Sequence, residues 1–266
     1  MMLRPRPIAV AFAGLVAVFL LMPLLAIGPI SFTPARFLTM PHGQLSLVHY
    51  RELIDNPDWA NSMLLSLRIG IASSAVATLL ALSFALGIWM FQPRFVAPML
   101  GVVLLPMVAP PIVSAMILYF FLTGLSRVSD GIGYDTWFGV TIAHVVMIVP
   151  FAVVLILVEL SQLDRRIDLA ARGLGASVSQ RILRIILPNI RFGVVAAALL
   201  AFILSWDEIG VTLFITSVNA ITLPRLMWMG VHDNVDPAVA SLSVVLIVIT
   251  TAVLLLRMAL QREDPA

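Results

Sequence analysis

The sequence predicts an all-α integral membrane protein with six transmembrane helices and both termini in the cytoplasm. Three observations carry this. Of 266 residues, 61% are hydrophobic and only 11% charged, against about 45–50% and about 25% in soluble domains. Charge-free runs cover 7–35, 69–93, 95–126, 136–158 and 237–256, each long enough for a helix of about 20 residues. No run alternates with period two over about ten residues, which argues against a transmembrane β-barrel.

A sixth apolar stretch, 192–216, is interrupted only by Asp207 and Glu208. The expected spans are therefore 8–29, 63–91, 97–122, 137–158, 192–216 and 238–257. The first follows Arg4 and Arg6 in the manner of a signal peptide. Its apolar run exceeds the usual 7–15 residues and lacks a clear small-residue cleavage site, so an uncleaved helix is expected. Six spans put both termini on one side, and the segments of that side hold 11 arginines against 5 opposite. The positive-inside rule makes the arginine-rich side cytoplasmic. The pI near 9.7 then reflects topology. No basic stripe interleaves with aromatics, and no nucleic-acid partner is expected.

All 16 basic residues are arginine, and there is no cysteine. Without lysine the chain has no P-loop lysine, Schiff base or pyridoxal anchor. Without cysteine it has no thiolate catalysis, disulfide or thiolate zinc site. No cofactor and no catalytic residue are expected, and any energy source belongs to another chain.

Most connections are short, but 159–191 reads ELSQLDRRIDLAARGLGASVSQRILRIILPNIR. On a helical wheel Leu163, Ile167, Ala170, Ala171, Leu174 and Val178 fall within about 100°, with Arg165 and Arg172 facing away. Gly173 and Gly175 loosen the middle, and Pro188 is expected to stop the second part. Two short cytoplasmic helices around a bend follow. They either lie on anionic lipid or dock on a partner protein.

Residues 169–188 resemble the EAA loop of permease subunits in binding-protein-dependent ABC importers. Its pattern is EAA, three residues, Gly, nine residues, Ile, one residue, Leu-Pro. Ala170, Ala171, Gly175, Ile185, Leu187 and Pro188 fall on that spacing. Leu169 stands at the glutamate position, with Asp168 one place earlier. The stretch IDLAARGLGAS is similar to permeases of the spermidine/putrescine type. SWDEIGVTLFIT (205–216), ITLPRLMWMGV (221–231), the Asn61-Ser62 pair and LLPMVAPPIVSAM (104–116) extend the resemblance over about 61–257.

The resemblance implies a type I ABC importer permease fold. Residues 1–60 would form the N-terminal tail, first helix and first outer loop, 61–257 the transport core, and 258–266 a cytoplasmic tail. It also implies partners: a dimer of ATP-binding cassette ATPases, a second permease subunit, a solute-binding protein outside and the lipid bilayer. Asp168, Ala170, Ala171, Gly175, Ile185, Leu187 and Pro188 would couple to the ATPase, residues 168–183 forming the docking helix. A polyamine is the implied solute, with another small solute, such as an amino-acid derivative or organophosphonate, as the alternative.

Asp207 and Glu208 are expensive in a span, about 2.5–3.5 kcal/mol for a carboxylate at mid-helix. Glu208 lies 17 residues after Arg191, about 25 Å along a helix, hence in the outer half. With Trp206, they either line a path for a cationic solute or pair with Arg68, Arg225 or the partner permease. Trp206, Met227, Trp228 and Met229 either pack around substrate or form helix packing and interface belt. Pro106, Pro110 and Pro111 mark a bend or a packing irregularity in the third span. His42, His49, His144 and His232 lack metal-ligand spacing, so no metal site is expected; intramembrane His144 suits a hydrogen-bonded structural role. The loop 31–60 either touches the binding protein or is a solvated connector.

Two other functions fit less well. An intramembrane serine protease needs a Gly-x-Ser-Gly nucleophile that is absent, and an aspartyl dyad needs carboxylates on two helices. A stand-alone secondary carrier commonly shows two similar halves, and none are visible here.

Overall fold

A computed structural model describes residues 7–41 and 43–261 of the chain. His42, Arg4, Arg6, Arg262 and the end of the tail lie outside the described residues. Twelve α-helices and two π turns occur among the described residues, and no strand.

In chain order the helices are α1 (Pro7–Ile30), α2 (Val48–Asp55), α3 (Pro57–Phe91), α4 (Val96–Val108), α5 (Pro111–Ser126) and α6 (Trp137–Gln162). There follow α7 (Arg165–Gly173), α8 (Val178–Arg181), α9 (Leu187–Trp206), α10 (Thr212–Ile215), α11 (Leu223–Met229) and α12 (Ala238–Gln261). Five helical stretches are long and apolar enough to cross a membrane, or six if the bent pair α4–α5 is one span.

In that pair, the third span expected at 97–122, the prolines make a bend and not merely a packing irregularity: α4 and α5 meet at 102°. Pro110 and Pro111 cause the break. Each disfavours helical backbone in the residue before it, and Ala109 and Pro110 are extended, with ψ of 140° and 132°. Pro111 then starts α5, where its missing N–H costs nothing.

The fifth span also differs at both ends. Pro188 does not stop a helix; α8, the π turn Ile182–Ile186 and α9 run on as one helical stretch, Val178–Trp206. The wider turn shifts the bonding pattern to i→i−5, with the Leu187 N–H donating to Ile182 O, so the proline is accommodated. Asn189 Nδ2 donates to Ile185 O at 2.7 Å. At the other end the helix stops at Trp206, not 216, and Asp207 is its C-cap.

The chain divides into two compact units, Ser62–Arg225 and the remainder. In the first, α3, α6 and α9 pack around Ala81, Ala85, Leu86, Trp89, Val153, Ile156, Leu160, Ile186 and Ile190. Alanine at the crossing points lets backbones approach, the rule for helices in lipid. Gly193 serves the same end: a Cβ there would overlap the Glu159 side chain. A second cluster joins α3, α5, α6 and α10 through Ile69, Ala115, Leu122, Val140, Ala143, Val211 and Ile215.

Several buried polar side chains in this unit pair with one another, while Thr78 Oγ1, Thr222 Oγ1 and Arg225 Nε find no partner among the described residues. His144 Nδ1 lies 2.8 Å from Ser205 Oγ and Nε2 lies 3.0 Å from Thr212 Oγ1. Ser205 Oγ is also 2.8 Å from Ser73 Oγ. His144 is thus the hydrogen-bonded structural residue expected, tying α6 to α9 and α10.

The segment between α5 and α6 is anchored by Asp135, whose carboxylate accepts from the backbone N–H groups of Ser217, Val218, Asn219 and Ala220 at 2.7–3.1 Å. Asn219 Nδ2 adds a bond of 2.9 Å. Asp135 itself is left-handed, with φ 57°, a conformation Asp tolerates. Arg225 closes the same knot by donating to Thr216 Oγ1 and, at 3.0 Å, to Ser217 O.

In the other unit α1 and α12 pack together and α2 packs on α12. Ser241 Oγ donates to Ser31 O at 3.0 Å, and Ser31 Oγ lies 2.8 Å from Tyr50 Oη. Leu38 N–H donates to Val235 O at 3.1 Å. The loop 31–60 is therefore folded and packed, not a plain solvated connector. Phe12, Leu15 and Phe19 on α1 are exposed, as suits a lipid or a partner helix.

Burial raises the Asp135 pKa, but the backbone donors of Ser217, Asn219, Val218 and Ala220 outweigh it and hold the carboxyl below its ordinary 3.8. A group with a lowered folded pKa stabilises above its unfolded value and loses that contribution as pH falls through the folded one. Asp135→Asn is expected to cost about 1–3 kcal/mol at pH 7, read by thermal unfolding in detergent. The gap between wild type and variant should close only below pH 3.8; a gap that closes near neutrality contradicts the knot.

Candidate functional site

Two sites emerge within the unit Ser62–Arg225. One is the segment between α6 and α9; the other is the turn that follows α9.

Asp164 opens α7 by capping: its Oδ1 accepts from the Arg166 N–H at 2.9 Å. The helix ends at Gly173 with its last carbonyls satisfied. The Gly175 N–H donates to Arg172 O at 3.0 Å and the Ala176 N–H to Ala171 O at 3.1 Å. This is the Schellman pattern, and it requires the left-handed backbone of Gly175, φ 82°. Ser177 then caps α8 in a reciprocal box with Gln180. Helix, bend and second helix are all encoded locally.

A bidentate ion pair braces the bend. Arg181 Nε donates to Asp168 Oδ1 at 2.7 Å, and Nη2 donates to Oδ2. Both residues are buried, as is Ala171. Asp168 is therefore engaged within the chain, α7 to α8, with its carboxylate turned away from solvent. The outward residues are mixed: Ile167 and Leu169 are exposed beside Arg165, Arg166 and Arg172, and Leu174 at the bend is 89% exposed.

The expected wheel of six apolar residues needs correction. Gly173 ends α7, so Leu174 and Val178 leave its wheel; Ile167 and Ala170 are exposed, and only Ala171 of the six is fully buried. Ile185 and Leu187 are half-buried, the first within the π turn and the second directly after it, and Pro188 is exposed. Arg165 lies over the Trp89 ring, 5.4 Å from its centroid. Trp89 and Arg165 with Ser161 and Asp164 line a cleft of about 570 Å³ beside α7.

At the far end of α9, Trp206 stacks on Phe202 at 6.0 Å. Asp207 is exposed and Glu208 half-buried. Glu208 Oε1 accepts from the Val211 N–H at 2.9 Å, and Glu208 O from Thr212 Oγ1 at 2.9 Å. Glu208 thus organises the turn into α10, while Asp207 projects freely. Among the described residues no ion pair joins either carboxylate to Arg68 or Arg225. Arg225 serves the Asp135 knot instead. Trp228 is exposed and stacks on His232 at 5.8 Å.

Arg181 and Asp135 are the residues that sequence reasoning missed. Neither has a local signal: Arg181 is 13 positions from its partner, and Asp135 is 82–85 from its donors.

Known proteins share this architecture. The chain matches, over its full length and that of the other chain, a solved bacterial ABC transporter involved in the import of the acidic polysaccharide alginate, with TM-score 0.73 and 13% identity. It is 28% identical to the spermidine/putrescine transport system permease protein PotC of Haemophilus influenzae over 96% of each chain. Identity to the putrescine transport system permease protein PotI of Escherichia coli K12 is 28%, over 86% of this chain and 82% of the other. A probable molybdenum ABC transporter permease of Haloferax volcanii is 30% identical over 71% and 72%. Residues 77–263 match the family described as binding-protein-dependent transport system inner membrane component. With most of its length inside that match, the chain belongs to this family of ABC importer permeases of the inner membrane.

Proposed function

We propose that this permease imports a polyamine, driven by a separate pair of ATP-binding cassette ATPases that grip α7 and the Gly175 bend. Six spans cross the membrane, α4–α5 counting as one, with both termini cytoplasmic; the arginine asymmetry supports this. Residues 61–257 carry transport. A second permease subunit completes the path, a solute-binding protein delivers the cargo, and ATP hydrolysis belongs to the partner ATPases.

The observation that carries the coupling is the braced bend: an exposed apolar tip at Leu174 on a helix locked to α8 by Asp168 and Arg181. Ala170, Ala171 and Gly175 supply a thin docking edge. The π turn, with Ile185 and Leu187 and followed by Pro188, leads into α9. A rigid tip fixed to a spanning helix transmits a rigid-body displacement, whereas a flexible loop would absorb it. Asp168 takes a positioning role inside the bend, which also accounts for Leu169 at the usual glutamate position.

Polyamine import is supported by the relatives' names and by Asp207, an exposed carboxylate free of intramolecular ion pairs among the described residues. Trp206 and Asp207 would meet the cation, and Glu208 would shape the turn. The relative named for molybdenum favours a second reading, an oxyanion cargo, in which Asp207 would hinder transport.

Two experiments separate these points. Gly175→Val, which forces a β-branched residue into the left-handed region, should leave membrane abundance normal and abolish ATP-driven uptake; Gly175→Asn should retain most uptake. Normal transport by the valine variant contradicts the coupling role. In proteoliposomes holding the complete transporter, Asp207→Asn should lower uptake of labelled putrescine about tenfold, on the scale of one lost charge-assisted contact. Unchanged putrescine uptake, or competition by molybdate in its place, contradicts the polyamine reading.

A further inference from the structure

We propose that His49, Glu52 and Asp236 form a binding site for a divalent transition-metal ion, clamping α2 to the start of α12. One ligand atom from each of the three lies within 4.8 Å of the others. His49 and Glu52 are spaced i,i+3 on α2 and so share a helix face. Asp236 comes from the segment between the second π turn and α12, after left-handed Val235, φ 50°.

Hydrogen bonding at His49 carries the inference. The imidazole is buried, its side chain 8% exposed. Nε2 lies 2.9 Å from Ala35 O, an atom that only accepts, so the proton sits on Nε2. In neutral imidazole Nδ1 is then a bare lone pair. It faces Glu52 Oε2 at 3.2 Å, another acceptor, with the Asp236 carboxylate beside it. With the Nδ1 lone pair free, these three acceptors converge on one point, and a cation between them satisfies all three.

Metal chemistry fits each detail. A ligating histidine regularly donates its other N–H to a backbone carbonyl, which fixes tautomer and ring orientation; the bond to Ala35 O does this. Two donors on one ion with bonds of about 2.1 Å sit roughly 3.0–3.4 Å apart, and the Nδ1–Oε2 separation is 3.2 Å. One imidazole and two carboxylates suit zinc or manganese. Glu52, 43% exposed, leaves the site open for water ligands. Asp236 Oδ1 already accepts from the Ala238 N–H at 2.8 Å, which orients the carboxylate.

The test uses the full chain, purified in detergent on a histidine-free tag and stripped with EDTA. Titration with Zn²⁺ should show one saturable equivalent per chain and a rise in Tm with added ion. Asp236→Asn, which keeps the α12 cap, and Glu52→Gln should each weaken binding at least about tenfold, the loss typical even of outer-shell partners. His232→Ala, removing the exposed pair with Asp233, should change nothing. Absence of saturable binding, or binding that survives both carboxylate variants and disappears with His232→Ala, overturns the proposal and leaves His49 and Glu52 as a plain ion pair.

Discussion

The buried pair between Asp168 and Arg181 is what makes the segment between α6 and α9 a mechanical part. The two charges meet in a bidentate fork, with Arg181 Nε donating to Oδ1 and Nη2 to Oδ2 of Asp168. Removing either partner strands the other away from water, the expensive outcome for a buried ion. Because the pair joins α7 to the foot of the long helical stretch ending at Trp206, a push on the Leu174 tip reaches α9. Gly175 supplies the bend angle and the ion pair preserves it.

A parallel division of labour appears at the other end of α9. There the helix stops at Asp207, and the chain turns under the control of Glu208 before α10. The Asp135 knot then fixes the following strand of backbone to the α5–α6 connection. Backbone N–H groups outside regular helix need acceptors, and one carboxylate satisfies four of them. His144, with Ser73, Ser205 and Thr212, does the same for side-chain groups within the packed helices. Other buried hydroxyls stay within their own helix: Ser74 Oγ donates to Ile71 O and Thr141 Oγ1 to Trp137 O.

What was legible in the sequence follows from range. Charge-free runs report the cost of charge in lipid, so long apolar helices could be read directly, and the starts of α1, α6 and α12 fall within a residue of expectation. The Gly175 bend was legible because a positive φ selects glycine at one position. The proline pair signalled a break but not its angle, which depends on what α4 and α5 pack against. The apolar pattern beyond Trp206 concealed the end of α9, since apolar turn and apolar helix look alike. The partners of Asp168 and Asp135, and the approach of Asp236 to His49, were invisible, because each contact is made by folding and leaves no spacing rule behind.

The absence of cysteine makes the central claim directly measurable. A single Leu174→Cys substitution would carry the only thiol of the chain, at the exposed tip of the proposed docking segment. With the complete transporter in membranes, the coupling account predicts that this thiol crosslinks to the ATPase subunit and is shielded from soluble maleimide by it, with a yield that changes between nucleotide-free and ATP-bound states. A thiol that stays equally reactive with and without the ATPase, and gives no crosslink in either state, would contradict it.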